Sequence, residues 1–150
     1  MTDILFYHLQ GRKLEGVLPS LLERSLERGW RVVVQAGSEE RIEALDAHLW
    51  TYHDDSFLPH GTWREADAAQ QPVVLTVNEG NPNAATVRFL IDGADLPQEA
   101  ESYDRLVLIF DGDDEEAVAL ARHHWSEAKV RGFDATYWQP DDAGRWVKKA

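Results

Sequence analysis

The sequence predicts an α/β protein, a three-layer Rossmann-like sandwich around a mixed, mostly parallel sheet. Three observations lead there. Short β-branched runs alternate with amphipathic helical segments in the first third of the chain, the pattern of parallel strands joined by crossover helices. Later, two apolar runs follow one another with no helix between them, which predicts at least one antiparallel pair. The 150 residues, 43% of them apolar, suffice to bury a core as a single domain spanning 1–150.

Asp3 to His8 carries Ile4, Leu5, Phe6 and Tyr7 and reads as a buried first strand. Gln10 to Lys13 is the turn. Leu14, Val17, Leu18, Leu21, Leu22 and Leu26 recur at helical spacing. Pro19 suits only the beginning of a helix, which places the start near Gly16 and the end at Gly29. Trp30 to Ala36 is the second strand. Ser38 caps the next helix, Glu39 and Glu40 complement its dipole, and Ile42, Leu45 and Leu49 form its apolar stripe, with Trp50 closing it. Pro72 to Val77, Thr86 to Ile91 and Arg105 to Phe110 read as strands. Asp113 and Glu116 have the spacing of a capping box for a helix that runs to Arg131 and stops at Gly132. Asp134 to Trp138 is a sixth strand. The polar segment 139–150 is expected to be a loosely ordered tail.

The chain has no cysteine, which excludes disulfides, thiolate metal sites and a thiol nucleophile. Its N-terminus reads as a strand, not a signal peptide, and cytoplasmic residence is the default expectation. The net charge of −12 repels phosphate backbones, so no direct DNA binding is expected. A basic cluster on such a protein is local, and therefore informative.

Enzyme signatures are sparse. The turn after the first strand lacks G-x-G-x-x-G, and neither a Walker-type loop nor a G-x-S-x-G elbow occurs. Asp111 to Glu116 lacks calcium-loop spacing and fits an acidic helix start. His48, His53 and His60 have no spacing that enforces convergence on zinc. No catalytic residue, metal or cofactor is expected. The alternative is a nucleotide-binding or metal-dependent α/β enzyme, which needs a phosphate pocket at a strand's carboxyl end.

Two constellations suit binding. Arg122, Trp125, Ser126 and Lys129 share one face of the last helix. A guanidinium beside an indole suits a peptide ending in an aromatic residue and a carboxylate. The same spacing also suits an amphipathic helix with a border tryptophan and solvated charges. The second constellation is Trp50, Phe57, Leu58 and Pro59, either an apolar anchor at the surface or a loop folded down over the sheet.

Several stretches carry a family resemblance. They are Phe6-Tyr-His-Leu9, Leu18-Pro through Leu22-Leu-Glu23, Arg28-Gly-Trp-Arg-Val-Val-Val34, and Ala121-Arg122 with Val130-Arg-Gly-Phe133. The most specific is Leu45-Asp-Ala-His-Leu-Trp50 followed by Ser56-Phe-Leu-Pro-His60. With these residues the chain resembles the chi subunit of bacterial DNA polymerase III. The resemblance implies a non-catalytic accessory protein that joins the clamp-loader assembly through a small partner, psi. It also implies a grip on the acidic, phenylalanine-ending C-terminal tail of single-stranded-DNA-binding protein. Arg122 stands at the family's tail-binding arginine and Trp125 at a neighbouring aromatic. Ser126 departs from the lysine of better-known members, and Lys129 lies one turn along as a substitute. Trp50, Phe57 and Pro59 match the psi-facing surface, which could equally serve another clamp-loader or helicase partner. A monomer or heterodimer is implied, with no membrane association.

Overall fold

The computed structural model describes residues 2–52 and 58–150. The chain runs β1 (Asp3–Leu9), α1 (Leu14–Glu27), β2 (Val32–Gln35), α2 (Glu39–Thr51), β3 (Gly61–Thr62), β4 (Val73–Thr76), β5 (Val87–Leu90), β6 (Arg105–Asp111), α3 (Glu115–Val130), β7 (Asp134–Pro140) and β8 (Trp146–Lys148). These strands form one sheet in the order β3-β4-β2-β5-β6-β1-β7-β8. Every neighbouring pair is parallel except β7–β8.

Side-chain alternation divides the core in two. Val32, Val34, Leu75 and Phe89 face the stripe of α1 and α2 made by Leu18, Leu22, Ile42, Leu45 and Leu49. Ile4, Phe6, Val33, Leu90, Leu106 and Leu108 face the other way, where α3 supplies Ala121 and Ala128. The three-layer expectation therefore holds, with a single helix and long connections forming the third layer.

Several local expectations change. The two strands before α3 are neighbours, yet β5 and β6 are parallel. Residues 91–104 between them, with a short 3-10 turn at Ala100–Ser102, form a crossover rather than a hairpin. A connection of about a dozen residues is what a parallel return requires. The antiparallel pair is instead β7–β8, where Trp138, Gln139 and Pro140 face Lys148, Val147 and Trp146. The segment 139–150, expected to be a loose tail, thus supplies the end of β7 and all of β8.

Helix α1 begins at Leu14, two residues ahead of Gly16, so Pro19 lies inside it. Proline has no N–H for the carbonyl four residues back, that of Glu15. His48 of α2 fills the gap, its Nε2 lying 2.8 Å from the Glu15 oxygen. A carbonyl only accepts, so that nitrogen carries the proton. Helix α3 is capped by Asp114 rather than Asp113. The Asp114 carboxylate accepts from the amides of Glu116 and Ala117.

Both α1 and α3 close on a left-handed glycine. Gly29 (φ 79°) and Gly132 (φ 81°) let the next residue turn back, with Trp30 N–H on the Ser25 carbonyl and Phe133 N–H on that of Ala128. Gly112 is required for a different reason. A methyl group there would strike the His8 ring and come within 2.5 Å of the Leu9 carbonyl oxygen.

Arg88, on β5, is fully buried and has no carboxylate partner among the described residues. Its donors reach Gln35 Oε1 (2.6 and 3.2 Å), the carbonyls of Asn78 (2.6 Å) and Gly80 (3.0 Å), and the Tyr103 hydroxyl (2.9 Å). It pins the β4–β5 connection to the half of the sheet that α3 does not reach.

Candidate functional site

Helix α3 crosses β6 and β7 and brings its outer flank beside the end of β7. Ala121, His124 and Ala128 turn inward, which leaves Trp125 at the border, half-buried. Its ring is held edge-on against Phe6 (centroids 5.3 Å) and Tyr137 (6.1 Å). The Lys129 ammonium lies 5.1 Å from the centre of the Trp125 ring, within cation–π range. Arg122 and Ser126 are exposed, and Arg122 makes no ion pair among the described residues. Burial pushes the Tyr137 hydroxyl pKa up, while a bond from Gln139 and the Arg122 charge pull it down. Lys129 therefore lies over one fixed indole, and Arg122 and Ser126 are exposed on the same helical flank.

Sequence spacing missed the two rings under Trp125. Tyr137 belongs to β7 and Phe6 to β1, and they meet because the two strands pair in register, Phe6 opposite Tyr137. Tyr137 also shares a short hydrogen bond with His8 Nδ1. The signal available in sequence was the alternation of Ala135 and Tyr137 along β7.

The second constellation is split. Trp50 is 50% exposed on the last turn of α2, whereas Leu58 is 1% exposed and belongs to the core. Leu58 thus leaves the expected surface cluster, because it fills the apolar space under α2. Pro59 is half-buried, and Phe57 lies outside the described residues. Trp50 packs against the His60 ring (centroids 4.3 Å). His60 is itself buried, with Nδ1 2.7 Å from the Leu58 carbonyl and Nε2 3.1 Å from the Asp46 carboxylate. Tyr52 turns inward and bonds the Glu23 carboxylate. The stretch is therefore part core and part surface, with Trp50 as the outward ring.

His48 and His60 are spent on structural carbonyls, and His53 lies outside the described residues. Among the described residues no group of three or more histidine and acidic side chains converges as a metal site. A cavity of about 790 Å³ does open at the carboxyl ends of β1, β5 and β6. Adjacent parallel strands β1 and β6 send their helices to opposite faces there, the usual place for a ligand in this architecture. Its mouth carries Asp92, Asp111, Asp113, Asp114 and Glu116. Arg12, Lys13 and Arg41 are outnumbered by these acids, and Arg41 is tied to Glu15 (2.6 Å) and Asp92 (3.8 Å). That balance opposes a phosphate. His124 also lines the cavity, with Nε2 on Asp95 and a buried Nδ1 that has no partner among the described residues.

Comparison with known proteins gives this arrangement a family. The model of the DNA polymerase III chi subunit, HolC, matches residues 1–136. The chain belongs to the DNA polymerase III chi subunit family. A protein of Rickettsia prowazekii (strain Madrid E), a probable DNA polymerase III subunit chi, is 28% identical over 96 residues. That match covers 64% of this chain and 58% of the Rickettsia protein, so the chain spans less than two thirds of that relative. The chi match ends one residue short of Tyr137, so the β7–β8 hairpin lies largely beyond it. Among the described residues no helix is long and apolar enough to cross a membrane.

Proposed function

We propose that this chi-family chain is a non-catalytic adaptor linking the clamp-loader assembly to single-stranded-DNA-binding protein. It grips the acidic C-terminal tail of that protein through Arg122, Trp125, Ser126 and Lys129. One observation carries the reading: Trp125 is immobilised on Phe6 and Tyr137, beneath the Lys129 ammonium, next to an exposed Arg122 with no ion pair among the described residues. A pre-positioned ring beside a guanidinium suits a terminal aromatic residue and its carboxylate, and little ordering is left to be done on binding. Lys129 supplies the second cation in place of the lysine absent at Ser126. Trp50 and Pro59 belong to the surface for psi or another clamp-loader or helicase partner, a role the family resemblance also gives Phe57, which lies outside the described residues. The two sites lie on helices of opposite sheet faces, so both partners fit at once.

The test is calorimetry with an acidic peptide ending in phenylalanine. Arg122→Ala weakens it more than about tenfold, the lower end of a charge-assisted bond after allowance for exposure. Amidation of the peptide's C-terminus has the same effect. Unchanged affinity in the folded variant removes the tail site from this face.

A further inference from the structure

On the face opposite α3 a basic cluster meets a run of aromatic rings. Arg24 and Arg28 are one turn apart on α1, both exposed, and make no ion pair among the described residues. Arg105 starts β6, and its nearest carboxylate is Asp3 at 4.0 Å. Trp30 sits between them, with the Arg28 guanidinium 5.0 Å and that of Arg105 5.1 Å from its ring centre. These side chains rim a recess of about 90 Å³ that also touches Tyr7. Burial raises the Tyr7 hydroxyl pKa, and the charges of Arg105, Arg24 and Arg28 pull the other way.

From Tyr7 the aromatic surface continues outward across the sheet. Trp138, its register partner on β7, stacks beside it (centroids 6.3 Å), and Trp146 of β8 meets it edge-on (4.7 Å). Lys148 pairs with Trp138 across the strands and so shares its face. α1 packs chiefly over β2 and β6, and α2 over β4, so these partly exposed rings are not beneath either helix.

Arg24 and Arg28 suit the C-terminal end of α1, and Arg28 and Arg105 lie over Trp30, yet like charges one turn apart repel and no ion pair among the described residues relieves Arg24 or Arg28. A polyanion that brings its own planar groups satisfies both halves of the surface. We propose that this strip from Trp30 to Trp146 binds single-stranded nucleic acid, with bases stacking on Trp138 and Trp146 and phosphates held by Arg24, Arg28 and Arg105. Several ring faces in succession suit a repeating base better than a peptide tail, which offers one ring. The net charge of −12 opposes approach over long range. At physiological salt that field is screened within about 8 Å, while the arginines act at contact. Binding is therefore weak, salt-sensitive and independent of the Arg122 face.

Fluorescence anisotropy of the full chain with a labelled oligothymidylate of about 15 nucleotides tests it. Expected is saturable binding that weakens about a hundredfold between roughly 20 and 200 mM salt, the slope of three phosphate contacts on a single strand. Arg24→Glu with Arg28→Glu weakens binding more than about tenfold and flattens that slope, while urea unfolding shows the variant still folded. Arg122→Ala leaves oligonucleotide binding unchanged. No saturable binding at low salt overturns the proposal, as does equal binding by the double variant. Displacement of the oligonucleotide by an acidic peptide of equal charge at equal concentration also overturns it, and assigns the face to acidic protein segments.

Discussion

Replacing Arg88 by methionine removes the clamp that holds the β4–β5 connection on the sheet. The loss follows from its five contacts. Gln35 Oε1 takes two of them and is buried with its residue 8% exposed. Left with no partner, that oxygen costs about 1–3 kcal/mol. The carbonyls of Asn78 and Gly80 are bonded at partly buried positions, so water recovers part of their loss, and each contributes about 1 kcal/mol. The Tyr103 hydroxyl loses one donor but keeps its own proton to give. Methionine returns some apolar burial, so the sum is about 3–5 kcal/mol, within the range for a broken buried charged network. Against a total of roughly 5–15 kcal/mol the variant still folds in the cold. Urea unfolding followed by circular dichroism reads the change as a lower midpoint with an unchanged slope. Arg88→Lys falls between, since an ammonium cannot span the same fork of acceptors. A loss below about 1 kcal/mol for Arg88→Met refutes the account, because it means that water already serves those acceptors.

Other outcomes follow from single contacts. Gly112→Ala drives a methyl group onto His8 and the Leu9 carbonyl oxygen, and lowers the thermal midpoint by several degrees. His48→Ala costs about 1 kcal/mol in the native sequence and less with Pro19→Ala, because the alanine amide then serves the Glu15 carbonyl; a double-mutant cycle reads the coupling. Trp50→Ala abolishes capture of a clamp-loader-side partner while tail-peptide affinity stays the same, and a variant that unfolds instead assigns Trp50 to the core. Burial holds the His8 pKa below the ordinary histidine range, against the pull of Asp113 and Asp111. The folded state therefore binds fewer protons than the unfolded chain as pH falls. Stability is fully present above the ordinary histidine pKa and declines as pH drops through it toward the depressed folded value. Urea midpoints across that window show the decline, and His8→Gln flattens it.

Periodicity made most of the fold legible. The stripes of α1 and α2 and the β-branched centre of β2 mark elements whose local pattern and tertiary burial agree, and Gly29 and Gly132 mark helix ends for the same reason. Strand direction was not legible at β5 and β6, because nothing local to either strand records which way a long connection returns. The start of α1 was misplaced because Pro19 is tolerated inside the helix only through His48, a residue on another helix. Strands β3 and β8 are too short to show alternation. The burial of Arg88 depends on Gln35 of β2, the Tyr103 hydroxyl and the carbonyls of the β4–β5 connection, partners that no periodicity along β5 records. The border position of Trp125 was legible from helical spacing, but its support by Phe6 and Tyr137 depends on sheet register. Trp50 and Leu58 could not be told apart, since an apolar residue beside a helix end serves core and surface equally well.

The two margins of the sheet set a rule for partners. β3 has two residues and β8 three, and β8 presents Lys148 beside its last pair. Neither offers a long unpaired row of amides and carbonyls on which an incoming chain could add as another strand. Recognition of an extended peptide by main-chain pairing is closed off at both margins, so any tail must be read through its side chains and its terminal carboxylate. Such reading distinguishes one tail from another by its last few residues, and tolerates great variety in the chain that precedes them.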